Sequence, residues 1–216
     1  MTDNLASWAS SDFSYHPEFL ARREADRLLD TLWTELDWAE REIVLFGRRV
    51  LQPRLVAWYG DEGADYRYSG ATLRAQRWPP VLNDLRARIE RLSDCVFNAV
   101  LANAYRDGSD SMGWHSDDEP ELGPRPCIAS LSLGAERAFL LRPREPDAQG
   151  RRPARRLRLA HGSLLVMRGD SQARFQHSLP KTRQPVGLRI NLTFRRVAPQ
   201  DARAVAPDVA SSPTNR

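Results

Sequence analysis

Arg189-Ile190-Asn191-Leu192-Thr193-Phe194-Arg195, near the C-terminal end of a 216-residue chain, alternates with period two. Successive side chains of a strand point to opposite faces. Arg189, Asn191, Thr193 and Arg195 therefore share one face, and Ile190, Leu192 and Phe194 share the other. The apolar face belongs against a core. The polar face is either solvated or lines a pocket, where a guanidinium suits bidentate binding of a carboxylate. The strand alone does not decide between these.

Upstream of it, short extended runs alternate with Gly and Pro turns at 96–105, 128–133, 138–141, 163–168 and 174–177, with the last run spanning 189–196. Such punctuation predicts a β-sandwich or barrel. The N-terminal part differs. Leu28, Leu29, Leu32, Trp33 and Leu36 recur at helical spacing within 18–36. Strands are expected at 43–46 and 50–51, around a turn at Gly47-Arg48-Arg49, and again at 53–59. Pro79-Pro80 opens a second helix with Val81, Leu82, Leu85, Ile89 and Leu92 as its apolar stripe. The Arg-rich, Pro-punctuated stretch 142–158 reads as a long basic loop. Residues after Pro199 are poor in apolar side chains and read as a disordered tail.

The composition is that of an ordinary globular domain, 41% hydrophobic and 28% charged. No apolar run is long enough to span a membrane. The first fourteen residues lack the regions of a signal peptide, so a cytoplasmic location is the expectation, nuclear in a eukaryote. The net charge of +4 is compatible with a nucleic-acid partner. Lys181 is the only lysine, so the base composition of the genome is an alternative reading of the Arg-rich balance. Cys95 and Cys127 have no partner spacing, and neither a zinc motif nor a disulfide framework follows from them.

The chain has four histidines. In His115-Ser116-Asp117 an extended backbone would put imidazole and carboxylate on one face. His177, at the end of a later strand, can add a third ligand. Two His and one carboxylate leave the opposite positions of an octahedral ion open, as in the facial triad of non-haem Fe(II) oxygenases. A lone His-x-Asp is weak evidence of metal binding. His161 competes as third ligand, although a turn residue beside Gly162 is its simpler reading. His16 reads as solvated.

These pieces together resemble one family. Asn103-Ala104-Tyr105, His115-Ser116-Asp117-Asp118-Glu119, His177 and the strand from Arg189 to Arg195 are similar, in order and spacing, to the AlkB family of alkylation-repair dioxygenases. The likeness runs over residues 40–197. Pro53-Arg54-Leu55-Val56-Ala57-Trp58-Tyr59-Gly60, Ile128-Ala129-Ser130-Leu131-Ser132-Leu133-Gly134 and His161-Gly162-Ser163-Leu164-Leu165 resemble the DNA-repair branch of its mammalian members.

The resemblance implies a mainly β protein with flanking helices around a double-stranded β-helix, or jelly-roll, core. It implies an N-terminal segment 1–40 whose helix packs on that core. It also implies a nucleotide-recognition region 41–95, a catalytic core 96–198 and a tail 199–216. It implies Fe(II) held by His115, Asp117 and His177, with 2-oxoglutarate held by Arg189 and completed by Asn103, Tyr105, Asn191 and Arg195. Dioxygen would oxidise the N-alkyl carbon of bases such as 1-methyladenine and 3-methylcytosine, releasing an aldehyde, succinate and carbon dioxide. Tyr68 would stack on the flipped base, with Tyr66 as a polar contact and Ser69 also binding the substrate. Asp118 and Glu119 would favour a cationic base, and Phe46 would wedge into the duplex. The partner is then alkylated DNA, with RNA as the alternative, and a monomer is expected. A non-nucleic-acid substrate and a silent binding module remain the competing classes.

Overall fold

The computed structural model describes residues 12–45, 48–68 and 71–198. In chain order the elements begin with β1 (Phe13–His16), α1 (Arg22–Glu35), β2 (Ala39–Leu45), β3 (Arg48–Gly60), β4 (Tyr66–Tyr68), β5 (Ala71–Leu73) and α2 (Pro80–Ser93). The rest are β6 (Ala99–Tyr105), β7 (Met112–His115), β8 (Ile128–Gly134), β9 (Arg137–Pro143), β10 (Arg155–Leu159), β11 (Ser163–Met167), α3 (Ser171–Arg174), β12 (Phe175–Leu179) and β13 (Arg189–Arg195). A seven-stranded antiparallel sheet has the order β1-β11-β8-β13-β6-β3-β2, and a four-stranded one has the order β10-β9-β12-β7. The expected jelly-roll core is this pair of sheets.

Both faces of β13 are buried, and this decides its role. Ile190, Leu192 and Phe194 join one core cluster with Ala25 and Leu32 of α1 and Leu82, Leu85 and Ile89 of α2. The helices thus cover the outer face of the large sheet. A second cluster, with Trp58, Leu101, Ile128 and Met167 from the large sheet and Phe139, Leu141 and Leu159 from the small one, fills the space between the sheets. The polar face of β13 points into that space.

Several local expectations change. The strands expected at 50–51 and 53–59 are one strand, β3. Pro53 lies where the β2–β3 register shifts, between the pairs Leu51↔Glu42 and Leu55↔Glu40. A proline is tolerated there because a bulge leaves a ladder N–H unused. The stretch 142–158 is a loop only over 144–154, since its ends belong to β9 and β10, paired from Arg155↔Leu141 to Leu159↔Arg137. Four arginines bracketing a polar connection hid the strand alternation. The N-terminal stretch supplies β1 at the edge of the large sheet, paired with β11. β2 and β3 extend that same sheet, so regions 41–95 and 96–198 share hydrogen-bonded strands. Cys95 and Cys127 form a disulfide with their Cα atoms 6.5 Å apart, tying the end of α2 to the start of β8. Tertiary proximity, not sequence spacing, pairs them. The tail 199–216, Phe46 and Ser69 lie outside the described residues.

Arg137 fixes the connections near the open end of the small sheet. Its buried guanidinium donates to the carbonyls of Asp107, Asp110 and Pro180 at 2.7–2.9 Å. One side chain thereby joins the β6–β7 loop to the segment that follows β12.

Candidate active site

The two sheets enclose a cavity lined by His115, Asp117 and His177 toward one end and by Asn103, Tyr105, Arg189, Asn191 and Arg195 on the large-sheet wall. Strand register assembles the two histidines and the large-sheet wall. His177 on β12 stands opposite His115 on β7, and their ring centroids are 4.1 Å apart. On the large sheet Arg189 is opposite Tyr105, and Asn191 is opposite Asn103.

Asp117 joins the histidines from beyond the end of β7. One ligand atom from each of His115, Asp117 and His177 lies within 4.8 Å of the others. His115 Nδ1 is 2.9 Å from the Gly113 carbonyl. A carbonyl only accepts, so Nδ1 carries the proton and Nε2 keeps its lone pair for a metal. Asp117 Oδ1 is 3.2 Å from Arg195 Nη2, and Oδ2 is 3.8 Å from His177 Nε2. Burial alone would raise the Asp117 carboxyl, but the Arg195 guanidinium holds it below its ordinary value. A single cation would meet two neutral nitrogens and one carboxylate, a donor set suited to a divalent first-row metal.

Burial pushes His177 down to about 3, helped by the neighbouring His115 and opposed by Asp117. Burial lowers His115 as well. A histidine depressed in the fold contributes stability that is complete above its unfolded value of 6.5 and is lost as the pH falls toward the folded value. The metal-free protein should therefore lose stability as the pH falls through that window, with the buried His177 contributing to the loss. Urea melts near pH 7 and pH 5 test this against His177→Ala, which should show the shallower pH dependence. Equal dependence in both proteins would remove His177 from the effect.

The far end of the cavity offers a cation. Arg189 is 2% exposed, donates from Nη2 to Ser132 Oγ at 2.9 Å, and has an Nε with no hydrogen-bond partner. It has no carboxylate partner among the described residues. Burial lowers its pKa to about 10, with partial relief from Tyr105, so it is charged at neutral pH. A buried guanidinium left in this state is costly unless an anion reaches it. Asn103 Oδ1 accepts from Arg54 Nε at 2.8 Å, which leaves the Asn103 amide nitrogen for the cavity. Asn191 is held by Ser130 and the Leu131 carbonyl through Nδ2. A dicarboxylate spanning metal and guanidinium fits these donors.

Other expected residues lie elsewhere. His161 accepts the Gly134 N–H at 2.7 Å and meets Asp26 at 3.1 Å, so it braces α1 rather than the cavity. His16 is on β1. Asp118 is exposed and pairs with Arg144, and neither Asp118 nor Glu119 lines the cavity. Tyr66 and Tyr68 lie on β4, and their side chains are outside the described part. Sequence reasoning missed Arg54, Ser130, Ser132 and Gln172 as site residues. The two serines had a signal in the alternation of β8; Gln172 had none.

Residues 12–195 match the model of the 2OG-Fe(II) oxygenase superfamily. The alpha-ketoglutarate-dependent dioxygenase alkB homolog 3 of Rattus norvegicus is 41% identical over 213 residues, 96% of this chain and 71% of that protein. The DNA oxidative demethylase ALKBH2 of Mus musculus is 42% identical over 186 residues, 82% of this chain and 77% of that protein. Among solved structures, OsALKBH1 shares the fold with a TM-score of 0.58 at 15% identity, covering 86% of this chain and 96% of its own. With a family model spanning nearly the whole described chain and relatives this close over most of their length, the chain belongs to the AlkB branch of the 2OG-Fe(II) oxygenase superfamily.

Proposed function

We propose that the protein is an Fe(II)- and 2-oxoglutarate-dependent dioxygenase that removes small alkyl groups from damaged DNA bases, 1-methyladenine and 3-methylcytosine among them. The observation that carries this is one buried cavity with a His-Asp-His cluster at one end and, at the other, an Arg189 guanidinium without a carboxylate partner among the described residues. Relatives named as DNA oxidative demethylases support the substrate class.

His115, Asp117 and His177 would hold the iron. Arg189, with Asn103, Tyr105, Asn191 and Arg195, would hold 2-oxoglutarate. Bound iron, cosubstrate and dioxygen supply the oxidation of the N-alkyl carbon, whose hydroxylated product collapses to an aldehyde and the restored base. The chain's own part is placement. Arg189 fixes one end of the cosubstrate, Arg195 keeps Asp117 ionised, and Leu101, Phe139, Leu159 and Met167 exclude water. Region 41–95 recognises the nucleotide in this reading, with Tyr68 as the stacking ring, Tyr66 as a polar contact, Ser69 as a further substrate-binding residue and Phe46 as the duplex wedge. Asp118 and Glu119 attract the cationic base. No described helix is long and apolar enough to cross a membrane. We place the protein in the cytoplasm, or the nucleus of a eukaryote, as a monomer.

The test is aerobic incubation with Fe(II), 2-oxoglutarate and matched methylated DNA and RNA oligonucleotides, followed by mass spectrometry. Loss of the methyl group from DNA is expected. Turnover on RNA alone would move the assignment to RNA, and binding without turnover would leave a silent module.

The loop 144–154 and β10 are expected to touch the phosphate backbone. Arg152, Arg155 and Arg156 are exposed, and the exposed Arg151 makes surface contacts with Asp147 and Gln149. Neutralising Arg151, Arg152, Arg155 and Arg156 together should flatten the salt dependence of DNA binding by about 0.9 in logarithmic slope per lost phosphate contact. An identical slope would put the binding surface elsewhere.

A further inference from the structure

β7 stops at His115, and residues 116–119 belong to no strand. No ladder therefore sets the position of Asp117. The hydrogen bonds that do are few. Ser116 Oγ donates to the Phe175 carbonyl at 2.8 Å, and the Asp117 backbone N–H donates to Gln172 Oε1 at 2.9 Å. Gln172 is 2% exposed and lies on α3, immediately before the strand that carries His177. Its amide nitrogen faces Ser171 Oγ at 3.4 Å and the Met167 sulfur at 3.6 Å. An amide N–H needs an acceptor, so the Gln172 oxygen is the atom turned to Asp117.

α3 is itself clamped. The Arg144 N–H donates to the Arg174 carbonyl at 2.8 Å, and its guanidinium donates to the Gln172 carbonyl at 3.3 Å. Opposing demands meet at Asp117. Arg195 draws Oδ1 toward the large sheet, while Oδ2 must stay near His177. Anchoring the backbone lets one carboxylate serve both.

We propose that Gln172 is a positioning residue that aims the Asp117 carboxylate at the metal. This rests on Asp117 being a ligand, as the proposed function has it. Partners one bond beyond a ligand orient it, and losing one typically weakens metal binding about 10- to 100-fold. Gln172→Met keeps the volume and removes the acceptor. Gln172→Glu keeps an acceptor oxygen in the same place.

The experiment is anaerobic titration of the full chain with Mn(II), without cosubstrate, following free Mn(II) by electron paramagnetic resonance. Melting curves of the metal-free proteins accompany it. Gln172→Met should bind Mn(II) about 10- to 100-fold more weakly than the parent, and Gln172→Glu should recover most of the loss. If Gln172→Met does not fold, the Glu variant is compared with Gln172→Ser, which is too short to reach the amide. Unchanged Mn(II) affinity in the variant lacking the acceptor would overturn the proposal. So would an equal loss in the Glu variant, because restoring the acceptor oxygen would then not restore the site. Asp117→Ala separates the levels: if it too binds Mn(II) like the parent, the ligand assignment fails, whereas a loss confined to Asp117→Ala removes Gln172 alone.

Discussion

His177→Ala should abolish demethylation while the two sheets stay folded. His177 contributes one of three donor atoms gathered within 4.8 Å, and the imidazole is neutral before any metal arrives. Losing a partner that merely orients a ligand costs about 10- to 100-fold, so losing the ligand itself should cost more than about 100-fold. The fold should survive for a local reason. His177 sits on β12, whose pairing with β7 and β9 uses backbone groups that alanine retains. The ring does stack near Phe139 at 5.3 Å, and the cavity left there should lower the melting temperature modestly. Activity and Mn(II) binding are measured beside a melting curve. Near-normal turnover would show that the triad is misassigned. His161 could not inherit the role without movement, because its two ring nitrogens are already taken by Gly134 and Asp26.

The metal ligands were legible because a two-residue spacing, a distant histidine and a patterned last strand each carry a local signal. What makes them one site is register, which sequence does not print. The i and i+2 argument for His115 and Asp117 assumed an extended backbone through both, yet β7 ends at His115. The two side chains meet anyway because Gln172 and Phe175 hold the segment from outside it. A single glutamine in a four-residue helix has no pattern by which to be found. The same limit explains Arg54, which acts on Asn103 from 49 positions away.

Elsewhere local rules misled where tertiary context overrode them. Pro53 read as a strand boundary and sits at a bulge inside β3. Arg155, Arg156 and Arg158 made an edge strand look like loop. Their charges suit an edge, where β10 has a partner on one side only and cationic side chains discourage pairing with another chain. Trp33, counted into the apolar stripe of α1, is 41% exposed and faces Trp38 instead. Period-based reading finds which face is apolar, and the width of the buried stripe depends on what packs against it.

Arg189→Met should weaken 2-oxoglutarate binding and leave the cosubstrate-free protein as stable as before, or more stable. The two effects have opposite signs because one guanidinium serves two states. With the cosubstrate bound, the lost charge-assisted pair should cost roughly 1.5–3 kcal/mol, about ten- to hundred-fold in affinity. Without it, Arg189 is a buried cation held by a neutral serine, with its Nε unbonded. Replacing buried charge by an apolar side chain of similar volume is commonly neutral or stabilising by about 1–4 kcal/mol. Methionine adapts to such a space and leaves only the Ser132 hydroxyl to find another partner. Arg189→Lys separates charge from shape. It keeps the cation and should still bind 2-oxoglutarate poorly, because an ammonium cannot present the planar fork to a carboxylate. The half-saturation concentration for 2-oxoglutarate is measured in all three proteins, with urea melts in the presence and absence of the cosubstrate. Parent protein should gain stability from added 2-oxoglutarate and the Met variant should gain little. Unchanged half-saturation in both variants would place the cosubstrate's carboxylate elsewhere. A Met variant that loses several kcal/mol without the cosubstrate would show that Arg189 serves the fold rather than the ligand.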